Sequence, residues 1–392
     1  MATTAEQRRA HRGPALFSAG FRPFFLFGAL WAVVAVVLWM PMWEGHFALP
    51  IPWSPLDWHV HETLYGYVPA VVAGFLLTAV PNWTGRLPVV GPRLIGLFSL
   101  WALGRLAILA AGLIGWVAAA VLDSLFLLAL AALTLREVVA AKNTRNLKTV
   151  ALVALLAVGN LVFHVEAALL GTAAWGLRIG LAGTLLLVSL IGGRIVPSFT
   201  INWLRTRPAG AAATPFGRFD TAVTVLTVAV LALWVVLPAH RLTGFALILG
   251  GAAQAARMAR WAGWRTWDEK LVFVLHLAYA FFALGFFAVG ASLAGLLPLG
   301  TSAALHAWTV GAVGLMTLAV MTRASLGHTG RPLHATRPIA LLYLGGAVAA
   351  LARVAVGFGF ADFALLHVAL VGWIVAFAGF VIVYRPILTT PR

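Results

Sequence analysis

Apolar residues fall in long blocks broken by short polar stretches. Counting blocks that can cross a hydrocarbon core, about 20 residues each, gives twelve, centred near Trp31, Val71, Leu103, Leu127, Leu156, Leu186, Val228, Leu249, Phe282, Met316, Ala347 and Trp373. Lipid offers backbone groups no hydrogen-bond partner, so runs of this kind must be helices. The expected fold is all-α, a polytopic bundle of about twelve transmembrane helices. No Gly-, Ser- or Pro-rich linker divides it. The chain therefore reads as an N-terminal tail over 1–23, one transmembrane domain over 24–385 and a C-terminal tail over 386–392.

Charge sits mainly between the blocks, and it alternates. One set of breaks carries Arg8, Arg9 and Arg12, then Arg86 and Arg93, Lys142, Arg145 and Lys148, Arg205, Arg207 and Arg218, Arg257, Arg260, Arg265 and Lys270, Arg323, Arg331 and Arg337, and finally Arg385. The opposite set is nearly bare. By the positive-inside bias both termini are expected in the cytoplasm, with an even number of spans. No removable leader is expected, because Phe24 already opens a full-length span.

Composition agrees with the pattern. The 392 residues are 62% hydrophobic and only 10% charged, far from soluble usage. A net charge of +16, from 27 basic and 11 acidic residues, would suggest nucleic acid in a soluble domain, but no such domain is present. The charge is topological, and the lipid bilayer is the expected partner. Tryptophans at span ends, such as Trp43, Trp53, Trp83, Trp116 and Trp203, fit an interfacial belt. With no cysteine, disulfides, thiolate metal sites, iron-sulfur clusters and covalent haem attachment are excluded. Neither a Walker motif nor a nucleotide-binding fingerprint is present.

Eleven histidines remain as the main candidate ligands. Depth sorts them, using a rise of about 1.5 Å per residue. His59, His61, His164, His306 and His367 fall near the outer ends of spans, whereas His276 and His328 lie toward the cytoplasmic side. His11, His46, His240 and His334 fall in the tail or loops and read as solvated. Buried imidazoles are costly unless paired. A single one is explained by a helix-to-helix hydrogen bond, but several at compatible depths favour a metal.

The densest group is Trp58-His59-Val60-His61-Glu62. His59 and His61 point about 200° apart on a helix, so they face different targets if Asp57 caps it. His59 and Glu62 share a helical face, which would let the carboxylate hold the far nitrogen of the imidazole. A polar helix start at the interface explains the same residues. Glu166, two positions after His164, reads as a group supporting a ligand from behind, as a proton-carrying group, or as solvated. Asp123 and Arg105 are intramembrane and expected to pair with each other in a structural role.

An internal repeat is also legible. From His61 and from His306, Gly follows at the fifth position (Gly66, Gly311) and Thr-Gly-Arg at positions 23 to 25 (Thr84-Gly85-Arg86, Thr329-Gly330-Arg331). The copies are eight spans apart, which allows a four-span unit repeated three times, its middle copy visible only as Gly192-Gly193-Arg194. His61 and His306 would then share a depth.

Several stretches resemble the NnrS family: Gly20-Phe21-Arg22-Pro23-Phe24-Phe25, the group Trp58 to Glu62, Leu77 through Arg86, Gly192 through Pro197, His306 through Gly311, and Gly327 through Arg331. The resemblance runs to near Arg353. It implies a multi-pass protein of the bacterial inner membrane that contains haem and copper and acts in nitric oxide metabolism, denitrification and protection against nitrosative stress. It does not assign ligands. On depth and spacing, His61 and His306 are expected as axial ligands of a non-covalent, b-type haem, with Arg194 and Arg323 meeting its propionates. His59 and His164 are then available to copper. Glu62 supports a ligand from behind, and His276 with His328 is expected to hold a second metal or haem. The expected action is binding or processing nitric oxide or a nitrosyl species, with turnover left open and no electron donor indicated. Two other readings describe the same residues: a proton-coupled transporter using intramembrane His and Glu, and a metal-binding sensor or assembly factor without turnover.

Overall fold

The structure is a computed structural model that describes residues 13–208, 210, 212–359 and 362–391. Arg8, Arg9, His11 and Arg12 lie outside the described residues. No strand occurs among those described, and they form twelve long helices. These are α1 (Phe21–Trp43), α2 (Pro55–Thr84), α3 (Pro92–Leu109), α4 (Trp116–Ala140), α5 (Thr144–Leu170), α6 (Ala174–Leu204), α7 (Arg218–Val236), α8 (Arg241–Ala259), α9 (Lys270–Ala294), α10 (Thr301–His328), α11 (Arg337–Phe358) and α12 (Asp362–Thr389).

Eleven are long and apolar enough to cross a membrane. The exception is α8, at the position of the eighth predicted span. Arg241 opens its 19 residues and Gln254 and Arg257 interrupt them, which lowers its apolar character without shortening it. The chain is thus a multi-pass membrane protein in which one of twelve helices is too polar to meet that standard. Large apolar side chains such as Leu106 (62% exposed) and Ile382 (73%) point outward, as a lipid-facing surface requires.

Local signals set the helix ends. Ser54, rather than Asp57, caps α2, its Oγ accepting the Asp57 backbone N–H at 3.1 Å, and Pro55 follows with its φ already helical. Left-handed glycines close α2, α5 and α9 at Gly85, Gly171 and Gly295.

Three helices contain π-helical turns: Glu62–Tyr67 in α2, Val188–Gly192 in α6 and Ala307–Gly314 in α10. They are four helices apart, the spacing of the sequence repeat. His61 and His306 each stand immediately before such a segment. An inserted residue in a helix rotates the face beyond it, and π turns gather at functional sites for that reason.

The chain divides into two compact units. One comprises residues 1–183 with 328–330 and 381–392, and the other residues 184–327 with 331–380. In the first, glycines bring helices close. A Cβ on Gly104 would lie 3.1 Å from Asp123 Cα, so α3 and α4 nearly touch there. In the second, α8 and α9 meet at Gly244, whose added Cβ would lie 2.7 Å from the Ala294 nitrogen. Small residues at such crossings are the usual means of close packing in lipid.

Candidate metal centre

In the first unit, α2, α3, α4 and α5 bring a set of polar side chains together in an apolar interior. His61, Glu62, Arg105, Asp123, Asn160 and His164 are all buried, His61 and Glu62 completely. Glu62 Oε2 accepts from Trp31 Nε1 at 2.7 Å and from Arg105 Nη1 at 2.6 Å. Arg105 Nη2 donates to Asp123 Oδ1, so the expected Arg105–Asp123 pair is present, with Glu62 as a third member. Gly66, in the π turn, makes room for this: a Cβ there would fall 2.5 Å from Arg105 Nη1 and 2.9 Å from Glu62 Oε2.

Glu62 supports an imidazole, but the partner is His61 rather than His59. His61 Nδ1–H donates to Glu62 Oε1 at 2.9 Å. Arg105 and Trp31 draw the carboxylate inward, while His59 turns the other way and stacks on Trp39 at 4.2 Å between ring centroids. Because Nδ1 carries its proton to a carboxylate, which can only accept, a neutral His61 presents a bare lone pair at Nε2. That lone pair faces two oxygens, Asn160 Oδ1 at 3.1 Å and Asp123 Oδ2 at 3.2 Å. Asn160 Nδ2 donates to Asp123 Oδ2 at 2.7 Å, which fixes the amide with its oxygen toward His61. His164 Nε2 stands 2.9 Å from the same Asp123 oxygen.

Lone pairs that face one another in a dry interior repel, and a cation among them reverses the sign of the interaction. His61, Asp123 and His164 offer donor atoms that all lie within 4.8 Å of one another. Two imidazoles and a carboxylate are a ligand set for zinc, copper or non-haem iron, and Glu62 behind His61 completes the carboxylate–histidine–metal arrangement. Charge agrees: one guanidinium stands against two carboxylates, leaving the cluster one negative charge that a bound cation would offset.

A haem does not fit these three residues. Two axial imidazoles must approach iron from opposite faces of a macrocycle. Here both Nε2 atoms converge on one carboxylate oxygen, with no plane between them.

Aromatic rings enclose the donors. Trp53, just before α2, lies 4.9 Å from the His61 ring and 5.4 Å from the His164 ring, and Phe163 is 5.2 Å from His61. Tyr65 fixes the next turn, its hydroxyl donating to Gly176 O at 2.6 Å. Glu166 is neither solvated nor among the donors. It accepts the backbone N–H groups of Trp175 (3.1 Å) and Gly176 (2.7 Å), capping the first turn of α6.

The other predicted residues are placed elsewhere. His306 is half-buried in the second unit, its Nδ1–H donating to Ser302 O at 2.6 Å. His276, also in the second unit, donates from Nε2 to Thr200 Oγ1 at 2.8 Å, because the Thr200 hydroxyl proton is held by Val196 O. His328 belongs to the first unit and packs on Phe21 at 5.6 Å. Arg194 and Arg323 lie over the rings of Phe216 (5.5 Å) and Phe199 (4.2 Å). His46, His240 and His334 are exposed. The structure thus joins His61, His164 and Glu62, and adds Asp123, Asn160 and Trp53 to them. The sequence signal for Asp123 is its acidity in an apolar helix, which an ion pair with Arg105 also accounts for.

A comparison with curated proteins finds no match. The family model described as NnrS protein matches residues 15–392, nearly the whole chain. With that coverage, the multi-pass helical fold and the buried His/Asp/His cluster belong to a member of the NnrS family.

Proposed function

We propose that this is a metalloprotein of the bacterial inner membrane that binds or processes nitric oxide or a nitrosyl species, with copper held by His61, Asp123 and His164. The observation that carries the reading is the His61 lone pair, set by Glu62 behind it and aimed at two oxygens. Copper bound there would supply an electron-accepting centre with affinity for small diatomic or nitrosyl ligands. The chain's own residues do the rest. Glu62 fixes the His61 tautomer, Asn160 orients the Asp123 carboxylate, and Arg105 holds both carboxylates in place. Trp53, Phe163 and Tyr65 surround the imidazoles with apolar rings, which suits a small, weakly polar ligand and keeps water from competing. Haem, which the family resemblance implies, does not fit this cluster.

Metal analysis of the purified protein tests the assignment. One copper per chain is expected, falling below a tenth of that in His164→Ala and in Asp123→Ala while helicity is kept. A protein that binds no transition metal, or binds it undiminished in both variants, overturns the reading and returns the cluster to a proton-coupling role. Stopped-flow mixing of the reduced, metal-loaded protein with nitric oxide then separates turnover from binding, since consumption beyond one equivalent requires a cycle.

A further inference from the structure

The second unit contains another buried polar centre, on the same plan but of opposite charge. It is built from the π turn of α6 and from α7, α8 and α9. Ser189, Asp220, Thr227, Gln254, Arg257 and Tyr279 are all at most 1% exposed. Arg257 Nε donates to Asp220 Oδ1 at 2.9 Å, and Nη1 donates to Ser189 O and to the Tyr279 hydroxyl, each at 3.1 Å.

The acceptors of this network already take hydrogen bonds, Ser189 Oγ from Gln254 Nε2 and from Arg257 Nη1, each at 3.3 Å. Asp220 Oδ2 takes the Gly217 N–H at 2.9 Å and Arg260 Nη1 at 3.3 Å. The Tyr279 hydroxyl donates to Gln254 Oε1 at 2.8 Å, Gln254 Nε2 donates to Thr227 Oγ1 at 2.7 Å, and Thr227 donates to Val223 O at 2.7 Å. Among the described residues Arg257 Nη2 is left without an acceptor, although the side chain is fully buried. A Cβ on Gly193 would overlap this nitrogen, so its flank is bare glycine backbone. Trp261, whose ring lies 5.7 Å from the guanidinium, is also fully buried, and its indole N–H likewise lacks an acceptor.

A buried guanidinium nitrogen with no acceptor is costly. Two guanidiniums, the fully buried Arg257 and Arg260, whose side chain is 30% exposed, share the single carboxylate of Asp220, so the buried cation has only part of one counter-charge. In the metal centre, Arg105 rests against Gly66 and faces two carboxylates; in this centre, Arg257 rests against Gly193 and has half of one. The first arrangement calls for a cation and the second for its opposite.

We propose that Arg257, supported by Trp261, forms a binding site for one small monovalent anion, of the halide or planar oxyanion class. The complete burial of both side chains excludes a lipid headgroup or a bulky phosphate ester as the occupant. The site is independent of the metal reading, because none of its residues belongs to that cluster.

Equilibrium dialysis of the purified full-length protein tests this with labelled nitrate and chloride, using gluconate, which is too large to enter, to hold ionic strength. Saturable binding of one anion per chain is expected. Arg257→Gln should abolish it, and Trp261→Phe, which keeps the ring but removes the N–H, should weaken it about tenfold, with copper content unchanged in both. Phosphate should not compete. If Arg257→Gln fails to fold, Trp261→Phe alone decides. No saturable binding by the wild type, or affinity unchanged in Trp261→Phe, overturns the proposal, as does competition by phosphate or by anionic lipid.

Discussion

Removing the two halves of the Arg105–Asp123 pair should not cost the same. Asp123 meets Arg105 and Asn160 as donors and stands 2.9 Å from His164 Nε2. In Asp123→Leu, Arg105 still has Glu62 at 2.6 Å, so one positive charge faces one negative and the buried cluster is balanced. In Arg105→Leu, Glu62 and Asp123 both remain, and two carboxylates face no guanidinium. Breaking one partner from a buried pair typically costs about 3–5 kcal/mol. Asp123→Leu belongs at the lower end of that range, and Arg105→Leu at or above its upper end. Equilibrium unfolding of metal-free protein in mixed micelles, followed by tryptophan fluorescence, measures both. Added copper at about a hundred times its dissociation constant should stabilise the wild type by about 2.7 kcal/mol. Asp123→Leu, missing one of three donors, should gain far less. If Arg105→Leu is as mild as Asp123→Leu in the metal-free protein, the charge balance argued for the cluster is wrong.

Three other outcomes follow from neighbouring residues. Trp53→Ala removes the ring that lies against both imidazoles, and copper loss to an external chelator should quicken at least tenfold without a change in the bound-metal spectrum. Gly66→Ala puts a methyl 2.5 Å from Arg105 Nη1, and overpacking of this kind costs about 1–3 kcal/mol; thermal unfolding should show the loss, and copper content should fall with it. Glu166→Ala deletes the cap on α6, at about 0.5–2 kcal/mol, whereas Glu166→Gln should recover much of that, and neither should alter copper content.

The helical membrane fold was legible because its cause is local. Each apolar block must face protein or lipid, and a helix satisfies its backbone hydrogen bonds within the block. The lower apolar character of α8 has a local origin too: it carries Arg257 and Gln254, whose partners Asp220 and Tyr279 on other helices satisfy them inside. The four-span period was visible through His61, Gly66, His306 and Gly311, but not the π turns that the histidines precede and the glycines lie in, since periodicity does not reveal one inserted residue. His61, His164 and Glu62 could be singled out as intramembrane polar groups. Which imidazole Glu62 supports could not, because Trp31 and Arg105 decide it from α1 and α3.

Sequence alone therefore determined that the chain spans a membrane as helices, that imidazole is its principal metal donor, and which buried polar residues demanded an explanation. Tertiary structure alone decided that Asp123 joins His61 and His164, across separations of 62 and 41 residues in the chain. Helical hydrogen bonds are satisfied within each segment, so the sequence can specify them one block at a time. A ligand set is a convergence of side chains from α2, α4 and α5, and it exists only once those helices have packed.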